Sequence, residues 1–219
     1  VVALPLEVPE VPTTRVQIIH NSPSPTVDIY ANGEILVDDL TFRSATPFQD
    51  IPADVEIDIA IAPGNSTSVA DAIATFNNVV FESTKTYVVT ANGIVGNTNT
   101  PFTLVINDAA KESATDATKV DIAVLHGAPG APAVDVDAFL VGNLISDLSY
   151  GDYTDYLAID PAVYFLNVRA AGNPAIVATF RADLSGLAGG AATVFASGIL
   201  GGTPGFGLFA ALPDGRVVA

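Results

Sequence analysis

The chain of 219 residues contains no cysteine, no methionine and no tryptophan. Without thiols there are no disulfide staples, no thiolate nucleophile and no sulfur-held metal, so stability must come from packing. Basic residues are scarce too: 8 Lys and Arg stand against 24 Asp and Glu, a net charge of −16. Such a surface repels phosphate backbones and anionic lipid, which excludes nucleic acid as a partner. No apolar run is long enough to span a bilayer, no Gly-x-Ser-x-Gly elbow announces a hydrolase, and no segment sustains a 3.6-residue stripe. There is no charged segment followed by an apolar one at the start, and Val1 is not a methionine. The expectation is that a targeting segment has been removed or that the chain is a piece of something longer. The acidic, lysine-poor, Thr/Asn/Gly-rich composition leads us to expect a protein exported from a prokaryote, at the cell surface or beyond it.

What the sequence does contain, it contains twice. Thr14-Arg15-Val16-Gln17-Ile18-Ile19-His20-Asn21-Ser22-Pro23 returns as Thr118-Lys119-Val120-Asp121-Ile122-Ala123-Val124-Leu125-His126-Gly127-Ala128-Pro129, and the two histidines, the only ones present, lie 106 positions apart. Pro25-Thr26-Val27-Asp28-Ile29 matches Pro132-Ala133-Val134-Asp135-Val136, and Asp39-Leu40 matches Asp147-Leu148. Later, Tyr87 to Gly93 echoes Ala192 to Gly198, and Thr100-Pro101 echoes Thr203-Pro204. Two diverged copies of one module of about a hundred residues are therefore expected. The boundaries read as an extended segment over 1–13, one repeat over 14–107, a small polar linker over 108–117, and a second repeat over 118–219.

Both copies read as all-β, because period-2 alternation and β-branched runs are broken every dozen residues by Gly, Pro, Asn and Asp. Strands are expected at Val16 to His20, Val27 to Ala31, Val55 to Ala62, Val79 to Phe81 and Tyr87 to Ala91. Their counterparts are Asp121 to His126, Val134 to Phe139, Tyr164 to Ala170, Ile176 to Phe180 and Thr193 to Ala196. Asn32-Gly33 between apolar runs predicts a type I′ hairpin turn. Val69 to Phe76 and Leu184 to Leu187 have room for a helical turn. The fold class is thus two tandem Ig-like antiparallel β-sandwiches preceded by an extended N-terminal strand.

A strand ending in His, then a small residue, Pro, a short gap, Val-Asp-(Ile/Val) and a glycine turn is similar to the bacterial and archaeal domain-of-unknown-function family 4397. His20, Pro23, Val27, Asp28 and Gly33 carry the resemblance in the first copy, and His126, Pro129, Val134 and Asp135 in the second. The second copy departs where Ala138-Phe139 replaces the Tyr-x-Asn-Gly turn. The resemblance implies a β-sandwich of exported and cell-surface proteins, with no established enzymatic activity.

Candidate chemistry is thin. One His per copy with one Asp nearby falls short of a metal site. The simpler role is an imidazole that closes a strand by hydrogen-bonding the Pro turn. Asp54, Glu56 and Asp58 alternate with aliphatics and so share one strand face. Calcium would relieve their repulsion, but the loop spacing of a dedicated site is missing, and a solvated face is favoured; no cofactor is expected. Tyr150, Tyr153 and Tyr156 form the one aromatic cluster able to stack on sugars, a candidate ligand loop, with packing as the competing role. Asn65-Ser66-Thr67 matches a glycosylation sequon by a pattern that arises easily by chance.

At the N-terminus Val2, Leu4, Leu6 and Val8 alternate with Pro5 and Pro9. In an extended chain both missing donors then fall on one edge, while the other edge can still pair. These four residues are the candidate subunit-joining strand, donated to a neighbouring copy by β-augmentation. The tail Val217-Val218-Ala219 repeats the opening Val1-Val2-Ala3 in type, as one period of an array would. The expected function is a non-enzymatic extracellular structural protein whose copies assemble end to end into a filament. The alternative is a monomeric surface adhesion module for a glycan or a protein.

Overall fold

A computed structural model of the protein describes residues 11–219. The N-terminal candidates Val2, Leu4, Leu6 and Val8 lie outside the described residues. The first repeat supplies β1 (Thr13–His20), β2 (Val27–Ala31), β3 (Glu34–Leu40), β4 (Ser44–Ala45), β5 (Gln49–Pro52), β6 (Glu56–Pro63), β7 (Ala74–Val80), β8 (Thr86–Asn92) and β9 (Thr103–Asn107). The second supplies β10 (Val120–Leu125), β11 (Val134–Ala138), β12 (Gly142–Leu148), β13 (Leu157–Ile159), β14 (Val163–Ala170), β15 (Ile176–Asp183), β16 (Ala191–Ser197), β17 (Gly207–Ala211) and β18 (Val217–Val218).

Each repeat is a sandwich of an inner and an outer sheet. The outer sheets run β3-β2-β6-β7 and β12-β11-β14-β15, wholly antiparallel. The inner sheets run β4-β1-β8-β9, with β5 also on β1, and β13-β10-β16-β17-β18. Each inner sheet departs from a purely antiparallel pattern at one place, since β1 pairs parallel with β8 and β10 parallel with β16. The first core closes between the sheets around Val16, Ile18, Ile29, Ile59, Ile61 and Val89, and the second around Ile122, Val136, Ile145, Leu148 and Val168. The alternation in Glu56-Ile57-Asp58-Ile59 is what produces this one-sided burial.

Asn32 and Gly33 take φ of 51° and 85°, the mirror-image turn that the Asn-Gly pair favours. The expected helical turn at Val69 to Phe76 is shorter than its range: a single 3₁₀ turn covers Val69–Asp71, and Ala74 onward is β7. Ser68 and Asp71 cap that turn reciprocally, which closes it within three residues. Leu184 to Leu187 forms a single hydrogen-bonded turn, Leu187 N donating to Leu184 O at 3.0 Å, and Gly189 with φ of 78° turns the chain away just beyond it.

Candidate functional site: the seam between the repeats

The signature residues do local structural work, and in the same way in both copies. His20 and His126 are buried at the ends of β1 and β10, and each Nε2 lies 2.8 Å from a proline carbonyl, Pro25 or Pro132. A carbonyl only accepts, so Nε2 carries the proton and donates. Each Nδ1 is buried without a partner. Burial holds the His20 imidazole below its usual value, against the opposing pull of the Pro25 carbonyl. Asp28 accepts from the Asp39 amide at 2.9 Å, and Asp135 accepts from the Asp147 amide at 2.9 Å. Asp39 and Asp147 both have φ of 53°, beside the register shifts where β3 leaves β2 and β12 leaves β11. The Val-Asp motif therefore pins a bulge through its carboxylate. Asp28 is itself buried, which works to raise its pKa, but the Ser66 hydroxyl and the Asp39 amide outweigh this and hold it below the usual carboxylate value.

The outward faces of the two inner sheets meet each other. Ile19, Phe48, Val88, Ala110, Leu125, Phe195 and Ala211 form one buried cluster drawn from both repeats. The corresponding residues Asn21 and Gly127 also touch across it, and Asn21 Nδ2 lies 2.9 Å from Asn92 Oδ1, 3.1 Å from Gly127 O and 3.2 Å from Ala196 O. A Cβ on Gly127 would stand 2.2 Å from Asn21 Nδ2 and 2.8 Å from Ala196 O, so the second copy needs glycine where the first has asparagine. Gln17 bridges Thr46 O at 3.0 Å and Leu212 O at 2.8 Å. Arg43 donates to Ser197 Oγ at 3.0 Å and to Gly205 O at 2.6 Å, and its guanidinium lies 4.2 Å from the centre of the Phe209 ring. Phe48 N donates to Pro213 O at 3.0 Å.

Tyr153 belongs to this seam, and Tyr156 holds the linker. The Tyr153 hydroxyl pairs with Thr90 Oγ1 across it at 2.7 Å. The Tyr156 hydroxyl accepts from the Lys111 amide at 2.9 Å, with the Lys111 ammonium 5.0 Å from the ring centre. Burial pushes both phenols up, opposed by Thr90 at Tyr153 and by Lys111 and Thr193 at Tyr156. Tyr150 sits edge-on to His126 at 6.1 Å, and burial raises its phenol as well. The three tyrosines expected as a ligand loop are thus engaged within the protein: Tyr153 across the seam, Tyr156 with Lys111 of the linker, and Tyr150 against His126 of its own repeat.

The acidic row is dispersed. Asp54 caps Ser83 through its amide at 3.1 Å and its hydroxyl at 2.6 Å, Asp58 accepts from the Asn78 amide at 3.0 Å, and Glu56 is exposed. Among the described residues no three His, Cys, Asp or Glu side chains converge in a way that would hold a metal ion. Asn65 of the sequon is exposed beside Ser66, whose hydroxyl donates to Asp28 and pairs with the Tyr30 hydroxyl. Cavities inside the sandwiches are apolar and about 60 Å³ and about 50 Å³, far below the few hundred Å³ of a cofactor pocket.

A family model described as "Domain of unknown function (DUF4397)" matches residues 14–137 and again 121–212. The chain belongs to this family. A comparison with curated proteins finds no match. For a DUF4397 chain the two matches put both histidines and both Val-Asp motifs inside family units, where the structure gives them turn-holding roles. The seam residues Gln17, Asn21, Arg43 and Phe195 were not singled out from sequence. Their signal was present nonetheless: Tyr87 to Asn92 and Ala191 to Ser197 lack the in-out alternation of Glu56 to Ile61, the mark of strands covered on both faces.

Proposed function

We propose that this DUF4397 protein is a non-enzymatic structural protein, exported from a prokaryotic cell, whose copies join end to end into a filament through the N-terminal segment. The observation that carries the reading is the seam. It welds two sandwiches into one unit through a buried apolar cluster, buried amide contacts and the Thr90–Tyr153 pair, while the histidines and the Val-Asp motifs are held by bonds within their own repeats. Such a unit suits a repeating block that must carry load without disulfides. Pro12 accepts from the Ala53 amide at 2.7 Å, so residue 12 already belongs to the first sandwich and the donated stretch is confined to residues 1–10. Electron microscopy at several concentrations, with and without residues 1–10, tests this. Filaments that vanish on the deletion are expected; isolated particles at every concentration, or filaments indifferent to the deletion, would overturn it.

One observation favours the second reading, a surface module for a glycan or a protein. The hairpin tip Phe139-Leu140-Val141 is exposed at 62%, 90% and 62%, where the first copy has the polar Asn32-Gly33 turn. An apolar tip on a soluble domain is a contact waiting for a surface. Leu140→Asp would abolish adhesion to cells on that reading and leave filaments intact on ours.

A further inference from the structure

Edge strands expose unpaired amides and carbonyls, and proteins blunt them with charge, bulges or shortness. In this chain β3 carries Glu34, Asp38 and Asp39, and it pairs through a bulge. In β7 the residue Asn78 has φ of 56° and lies at a register shift. β12 is bulged and carries Asp147, and β15 is bulged and carries Arg181 and Asp183. β5 carries Asp50 and Pro52, and β4, β13 and β18 are only two or three residues long. β9 has none of these devices. Its residues Thr103-Leu104-Val105-Ile106-Asn107 are uncharged, pair in unbroken register with β8, and leave Ile106 44% exposed.

The other repeat shows what belongs there. β17 is the counterpart of β9, and its outer edge is capped antiparallel by β18, with Ala210 opposite Val218 and Ala211 opposite Val217. Among the described residues β9 has no equivalent of β18. Among the described residues the first repeat is one strand short at the place where the second is complete.

We propose that the open edge of β9 receives, antiparallel, the Val2 to Val8 segment of a second copy. This rests on the filament reading above and names its acceptor. The sequence of the segment fits the edge: in an extended strand Val2, Leu4, Leu6 and Val8 would present their amides on the edge opposite Pro5 and Pro9, and seven such residues at about 3.3 Å each would outrun the five of β9. The donor belongs to another copy on grounds of geometry. Pro12 is bound from Ala53, on the β5 side of β1, and β5 and β9 lie at opposite edges of the same sheet. A segment returning from Thr13 to its own β9 would have to pass β1 and β8 and would run parallel to β9, because β1 and β8 are parallel and β9 opposes β8. The β17–β18 pairing is antiparallel.

The absence of cysteine makes the test clean. Copies bearing Leu6→Cys are mixed with copies bearing either Ile106→Cys on β9 or Val80→Cys on β7, and a short bifunctional maleimide is added. Cross-linked pairs are expected with Ile106→Cys and not with Val80→Cys. In parallel, Ile106→Lys on the exposed edge is expected to raise the concentration needed for assembly at least tenfold while leaving the melting transition in place. Cross-linking at Val80→Cys instead, or none at Ile106→Cys in a protein that still needs residues 1–10 to assemble, would overturn β9 as the acceptor and leave strand donation standing. Assembly unaffected by loss of residues 1–10, or no assembly at all, would overturn both.

Discussion

The two repeats agree in their bulges and differ at their faces, and the kind of difference depends on the face. On the seam they differ by complementation. Asn21 of one copy meets Gly127 of the other, and the buried Phe195 occupies a cluster with Ala45, while the corresponding residues Thr90 and Tyr153 meet through their hydroxyls. On the outer sheets they differ by cover. In the first repeat the loop from Gly64 to Ile73 closes over Tyr30, Ala60 and Ala62, and Ser66 binds both Tyr30 and Asp28. In the second, Asp135 takes the Gly172 amide instead and the sheet keeps Phe165 half exposed. A duplicated module has thus become a matched pair rather than two equal beads, with each half shaped to the other.

Breaking the match at its apolar centre carries the largest expected effect. Phe195→Ala should cost about 3–5 kcal/mol, as large-to-small changes at full burial do, and urea unfolding followed by tyrosine fluorescence should split into separate steps for the two repeats. A single transition at the original midpoint would show that the seam does not couple them. Gly127→Ala forces a methyl against Asn21 and Ala196, and an overpacking cost of about 1–3 kcal/mol is expected. Combining it with Asn21→Ala should return part of that loss in a double-mutant cycle.

The bulge carboxylates sharpen the comparison further. Asp28 is buried and Asp135 is not, so Asp28→Ala should cost about 2–3 kcal/mol and Asp135→Ala about 1 kcal/mol, read from urea midpoints. The smallest effect concerns pH. Because burial holds His20 below its ordinary 6.5, the unfolded chain takes up a proton that the folded chain refuses, and stability falls as pH drops from 6.5 toward the folded value. His20→Gln should flatten the melting temperature over that interval; an unchanged slope would assign it to other groups.

The legible part of this fold was the part governed by local pattern. β2 occupies Val27–Ala31 as expected, and β6 and β11 fall within a residue of their expected bounds because alternation is unbroken there. β3 was implied by the Asn32-Gly33 hairpin turn, but neither it nor β12 could be bounded from sequence, because each carries a bulge that puts Asp38-Asp39 and Ser146-Asp147 out of phase with the core. β9 and β17 are too short and too uniformly apolar for periodicity to mark. The tyrosines were visible as a cluster, but their direction was not, since only the second repeat's position decides whether Tyr153 faces solvent or Thr90. The seam needed both copies at once, and one-copy reasoning reaches Ile19 or Val88 only as ordinary core.

The parallel pairing of β1 also sets how the molecule responds to tension. A pull applied at residue 11 along the strand meets six register positions shared with β8 and four shared with β5, all loaded at the same moment. Bonds arranged so must fail together, whereas an antiparallel hairpin tugged from its open end peels one rung at a time. If the N-terminal segment is the hook between subunits, the strand behind it is anchored like a rivet in shear.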